Sequence, residues 1–131
     1  MLRHLDNDNS FARASIVLSL FRFSNQEEVL YAILSSANDP NYEVRLATVE
    51  TICRIRYHND RYATNNELFD TLIMLTTDSS AEVRAAACRA FWAFDSTPES
   101  IEALTNRLTD EDQSVRNAAE EELSKLTNES E

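Results

Sequence analysis

Apolar residues recur along the chain at helical spacing, in blocks that match one another. NDNSFARASIVLSLFRF (Asn7 to Phe23), DPNYEVRLATVETICRI (Asp39 to Ile55), DSSAEVRAAACRAFWAF (Asp78 to Phe94) and DEDQSVRNAAEEELSKL (Asp110 to Leu126) follow one pattern. In each, an Asp or Asn stands six residues before an Arg, and Arg13, Arg45, Arg84 and Arg116 are 32, 39 and 32 residues apart. Self-similarity at that period signals stacked units, each burying its apolar face against its neighbours. Each block predicts a helix capped four residues before its Arg, by Asn9, Asn41, Ser80 or Asp112. The predicted buried columns are Ala12, Val44, Val83 and Val115, then Ser15, Ala47, Ala86 and Ala118. Leu20, Ile52, Phe91 and Leu123 follow, and then Phe23, Ile55, Phe94 and Leu126. Small side chains in the second column let helices approach, and large ones further along fill the space.

A second set of helices precedes these. QEEVLYAILSSA, ELFDTLIMLTT and ESIEALTNRL each carry the stripe of an amphipathic helix. Their columns agree at Leu30, Phe69 and Ile101, and again at Ile33, Leu72 and Leu104. Asn25, Thr64 and Ser96 stand three residues before Glu28, Glu67 and Glu99, the spacing of a capping box. The expected organisation is one domain, with a half repeat over 1–23 and helix pairs over 25–56, 64–94 and 96–127. One junction is longer: RYHNDRYA (Arg56 to Ala63) lies where the others need one or two residues. An insertion on a minimal scaffold is often functional, which makes Tyr57, His58, Arg61 and Tyr62 a candidate binding loop. Its tyrosines packing on the adjoining helices is the alternative. At the far end, Glu120, Glu121, Glu122 and Lys125 are expected to give the last helix the polar outer side of a terminal cap.

Composition narrows the function classes. A length of 131 residues with 43% hydrophobic residues supports a narrow continuous core. With no glycine at all, the phosphate loop, the dinucleotide fingerprint and the calcium-loop turn are excluded. No apolar run approaches a membrane span and the start lacks a signal-peptide core, so a cytoplasmic protein is expected. Cys53 and Cys88 are too few and too far apart for a disulfide framework or metal site, and they read as free thiols within helices. The net charge of −11 is uneven: residues 1–62 carry seven Arg against eight acids, residues 63–131 five bases against fifteen. That balance repels nucleic acid and suits a partner with a basic surface.

The Asp-x4-[Val/Ala]-Arg spacing of the four blocks resembles the HEAT repeat family, in particular the short bacterial type associated with phycobilisome lyases. The resemblance implies an all-α fold, a right-handed α-α superhelix of stacked helix pairs. It also implies a ladder between successive repeats made by Asp39, Asp78 and Asp110 with Arg45, Arg84 and Arg116. Asn7 beside Arg13 departs from the pattern and puts the first rung in question. A bidentate Arg suits such a role, tying neighbouring turns in fixed register.

In solenoids of this type the second helices line the concave binding face. Their outward columns hold Leu18, Glu50, Arg89 and Glu121, then Phe21, Cys53, Trp92 and Ser124, then Ala14, Leu46, Ala85 and Asn117. Leu18, Phe21, Leu46, Glu50, Cys53, Arg89 and Trp92 are therefore the candidate partner-binding residues, aromatic and Arg side chains being the usual interface anchors. Trp92 folding into its neighbour and Phe21 being covered by the N-terminal segment are the structural alternatives. Catalytic and metal-binding residues are not expected. His4 and His58 are 54 apart with no HExxH spacing, and the DED and EEE runs lack a calcium-loop pattern. A DNA glycosylase using Trp92 and Asp95 conflicts with the acidic charge. The leading expectation is a non-enzymatic scaffold without cofactor that binds another protein, possible within that class being an inhibitor or immunity-type role against a basic toxin. A chromophore-handling, bilin lyase-like component is the alternative, with a tetrapyrrole beside Trp92 and Cys53. Self-association through the N-terminal half repeat is a third.

Overall fold

The computed structural model describes residues 9–58 and 66–129, with side chains through residue 126. Seven helices run in order: α1 (Ser10–Ser19), α2 (Glu27–Ser35), α3 (Tyr42–His58), α4 (Asn66–Leu75), α5 (Ala81–Arg89), α6 (Pro98–Asn106) and α7 (Gln113–Glu129). Tight 3-10 turns extend four of them, over Leu20–Phe23, Ser36–Asn38, Ala90–Ala93 and Arg107–Thr109. The even-numbered helices each pack on the next odd one, and α1, α3, α5 and α7 stack in sequence. This is an all-α solenoid of helix pairs.

The chemistry of the turns explains where the odd helices begin. Asn9 accepts from the amides of Phe11 and Ala12, Asn41 from Glu43, Ser80 from Val83 and Asp112 from Ser114. Each bond satisfies an amide that the helix leaves without a partner. Asn41→Ala is expected to lower stability by about 1 kcal/mol in chemical denaturation, with the helical signal of the native state unchanged. The even helices depart from expectation. α2 is capped at Gln26 with no side-chain bond, so Asn25 does not close a box. In α6 the box is one residue late: Thr97 and Ser100 bond reciprocally, because Pro98 fits the first helical position. Thr64 lies outside the described residues.

One core cluster runs from Leu20 to Leu126, with a smaller one of Val17, Val44 and Ala47 beside it. Ile33, Leu72 and Leu104 are fully buried, as are Val44, Val83 and Val115. Ser15 and Phe23 are instead exposed, since Val17 of α1 and Leu20 of the turn after it take the inward positions. Ile101 is also exposed, because Ser100 takes the inward position. The buried stripe is wider than a single face. Thr48, Val49, Thr51, Ala87, Cys88, Ala90 and Ala119 are buried too, since a second helix in the stack has neighbours on both sides. Glu122 is the exception to the expected polar cap: it is 2% exposed, while Glu120 and Glu121 face solvent.

Arginine forks lock the repeats together. Arg13 grips Asp39 with Nε at 2.9 Å and Nη2 at 3.1 Å, and Arg45 grips Asp78 at the same two distances. Arg84 grips Asp110 at 3.0 Å with both. Each Arg thus reaches forward to the Asp of the next repeat, and the first rung is Arg13 on Asp39, while Asn7 lies outside the described residues. The same Asp accepts the amide two residues on, at Asn41, Ser80 and Asp112. Arg45, Arg84 and Arg116 also donate through Nη1 to the carbonyls of Asp39, Asp78 and Asp110. Arg116 makes no forward rung among the described residues. One ion pair therefore sets both the register between repeats and the turn that starts a helix.

Candidate functional site

The second helices end on one side of the stack, and there four rings meet. Phe21 lies 5.6 Å from His58, His58 4.8 Å from Tyr57, and Tyr57 5.1 Å from Trp92, centroid to centroid. All are tilted or edge-on, the geometry in which ring quadrupoles attract. Phe21 sits in the tight turn after α1, Tyr57 and His58 in the last turn of α3, and Trp92 in the turn after α5. The strip therefore crosses three successive repeats. Tyr57 remains 59% exposed and Trp92 51%, so much of this aromatic surface faces solvent.

Helix α3 explains why the rings converge. It continues through Arg56, Tyr57 and His58, which the sequence pattern assigns to the junction. That extra turn carries Tyr57 and His58 out between Phe21 and Trp92. Two separate candidate regions, the second-helix face and the junction, are thereby brought together at these four residues. Arg61 and Tyr62 lie outside the described residues. Arg56 holds the end of α3 in place, 3.9 Å from the Asp95 carboxylate and over the Phe94 ring at 5.9 Å.

The remaining candidates divide. Leu18 is half-buried against the small cluster of Val17, Val44 and Ala47, and Leu46 packs against the main core. Glu50 pairs with Arg54 at 2.9 Å, and Arg89 pairs with Glu121 of the next repeat, all four about half exposed. These pairs flank the strip and neutralise one another, and exposed pairs of this kind contribute little to stability. Cys53 is half-buried against the main core, and burial, with Glu50 next in effect, raises its thiol above the ordinary range. Burial pushes the Cys88 thiol up to about 12. Both thiols are protonated at neutral pH and poorly suited to nucleophilic work.

The strip opens at its Phe21 end into a cavity of about 510 Å³ lined by Leu18, Phe21, Arg22, Phe23 and Arg54 with two serine hydroxyls. Sequence reasoning missed this cavity, having assigned Phe23 to the core. The signal was FRF (Phe21 to Phe23), a cation between two rings at the end of a helix. Among the described residues no group of three or more His, Cys, Asp and Glu is placed to hold a metal, and no helix is long and apolar enough to cross a membrane.

Helix pairs stacked through an Arg–Asp ladder define a class of repeat scaffold, and sequence comparison agrees. The model of HEAT repeats matches residues 69–131, and that of the Vacuolar 14 Fab1-binding region matches residues 9–90. The chain belongs to the HEAT repeat family, with the Vacuolar 14 Fab1-binding region the model that covers more than half of it. Among curated proteins none matches. Among solved structures it is similar to an engineered protein from the Northeast Structural Genomics Consortium, with a TM-score of 0.64 at 19% identity. The match covers 95% of this chain and 60% of that one, and it is a likeness of fold.

Proposed function

We propose that this chain is a non-enzymatic scaffold that binds another protein on its second-helix face, with Phe21, His58, Tyr57 and Trp92 as the contact. The observation that carries this reading is the exposed aromatic strip crossing three repeats. Rings of this size supply contact area at low entropic cost, and exposed patches of them on a rigid scaffold mark interaction sites. The Vacuolar 14 Fab1-binding region is itself described by its binding to a protein, which fits a partner-holding role. The fifteen acids of residues 63–131 favour a partner with a basic surface beyond the strip, and nucleic acid is disfavoured by the same charge. Two free thiols fit a reducing, cytoplasmic setting. The chromophore-handling alternative places a tetrapyrrole in the groove beside Trp92 and Cys53, and the absence of a chromophore spectral change on mixing with bilin would remove it.

The test is affinity capture from native extract with the intact protein, beside Trp92→Ala and a control on the opposite helices, Glu28→Ala. A partner retained by the native protein and by Glu28→Ala is expected to bind about tenfold more weakly to Trp92→Ala. Equal retention by all three proteins would remove the strip from the interface.

A further inference from the structure

In a chain of net charge −11 cations should be engaged, and nearly all of those among the described residues are. Among the described residues the guanidinium groups of Arg13, Arg45 and Arg84 hold aspartates of the next repeat, and Arg54, Arg56, Arg89 and Arg107 each have a carboxylate within 4.0 Å. Arg116 is bonded to the Asp110 carbonyl. Arg22 has no hydrogen-bond or ion-pair partner for its guanidinium among the described residues. It is exposed and, like Arg54, lines the cavity at the Phe21 end of the strip. Arg54 uses one nitrogen, Nη2, on Glu50, which leaves the rest of its fork open.

We infer that the Arg22 cavity seats an acidic side chain of the bound polypeptide, whose following apolar residues lie along the strip from Phe21 to Trp92. This rests on the reading of the strip as a protein-binding face. Charge complementarity selects the occupant. The Arg22 charge, with the remaining donors of the Glu50-paired Arg54 at the same cavity and apolar Leu18, Phe21 and Phe23 around it, favours a carboxylate on a short side chain with hydrocarbon beside it. The ring-to-ring steps of 5.6, 4.8 and 5.1 Å allow at most about five residues at the roughly 3.1 Å rise of a polyproline-type segment. Rings stacked edge to face are the surface on which such a segment docks with little ordering cost. The cavity adjoins the Phe21 end of the strip, so an acid seated there also fixes the direction in which the chain runs. A partner with a basic body and an acidic anchor meets both the wide negative field of residues 63–131 and this local positive point.

Trp92 is the chain's one tryptophan, so its fluorescence reports on the strip directly. The probes are two tryptophan-free peptides, acetyl-Asp-Pro-Leu-Pro-Leu-amide and its Asn counterpart, titrated against the full chain and against Arg22→Ser. Among the described residues Arg22 bonds to none, so the variant is expected to keep the fold. In the native protein the Asp peptide is expected to bind about fivefold more tightly than the Asn peptide, the size of one half-exposed charge pair. That preference is expected to vanish in Arg22→Ser and to narrow toward one in 1 M salt, where the screening length is about 3 Å. Equal binding of the two peptides to the native protein would overturn the acidic anchor and leave the strip intact as a binding face. Displacement of the Asp peptide by inorganic phosphate alone would overturn it in favour of a small-anion site. If neither peptide perturbs Trp92, the anchor and the strip reading fall together.

Discussion

Replacing Asp110 with Ala is expected to lower the unfolding free energy by about 3–5 kcal/mol, the cost of leaving a buried charge without its partner. Asp110 is the most heavily engaged carboxylate of the ladder. It takes both Arg84 nitrogens at 3.0 Å, the Arg107 Nη1 at 3.0 Å and the Asp112 amide at 2.9 Å. The side chains of Arg84 and Asp110 are only 9% and 2% exposed, so water cannot replace what the substitution removes. The same change at the exposed Glu50, whose pair with Arg54 is about half solvated, is expected to cost no more than about 0.5 kcal/mol. Urea denaturation of both variants, with the slope unchanged, would measure the difference. An Asp110→Ala midpoint as close to native as that of Glu50→Ala would show that the ladder sets register without holding the stack together.

The ladder also gives stability an acid limb. Burial by itself raises the Asp110 carboxyl, but the Arg84 bonds, the Asp112 amide and the charges of Arg84 and Arg107 outweigh it and hold the group below its ordinary value. Asp39 is lowered in the same way: burial opposes, and Arg13 and the Asn41 amide prevail. A carboxyl with a depressed folded value stabilises the protein above the ordinary carboxylate range and loses that contribution as pH falls through the folded value. Stability is therefore expected to be flat in these two groups near neutrality and to fall below about pH 4, near the unfolded aspartate value. Thermal melts of the native protein and of Asp39→Asn across that range would measure it, the variant showing the shallower acid slope.

The fold was legible because the repeat exposes it four times over, yet what passes between repeats was not. A motif read within one block pairs Asn7 with Arg13 and so puts the first rung in question. In three dimensions Arg13 reaches forward to Asp39, and Arg116 is the member without a forward rung among the described residues. The same limit applies to the site. Phe21 and Trp92 could be picked out as outward aromatics, and Tyr57 and His58 as odd residues at a long junction. Their joining depends on one further turn of α3, and no periodic signal marks it, because the blocks cease to match after Ile55. Arg22 and Phe23 were hidden for the opposite reason: aligned with core positions elsewhere, Phe23 reads as buried.

Glu122 shows that the inward phase of a helix can override its chemistry. Three consecutive glutamates read as a solvated face, but on a helix successive residues turn by about 100°, so they cannot share a side. Ala118 and Leu126, four residues to either side, are buried and point Glu122 inward. Its Oε1 accepts from Lys125 Nζ at 3.1 Å, and its Oε2 is buried with no partner. An unsatisfied buried oxygen costs about 1–3 kcal/mol, and the Lys125 side chain is 61% exposed, so their pair offsets little of that. Glu122→Met, which keeps much of the volume and removes the polar atoms, is therefore expected to raise stability by about 2 kcal/mol, with Glu122→Gln intermediate. Denaturation midpoints of the two variants would check it. A fall on Glu122→Met would mean that the carboxylate is satisfied in solution by water.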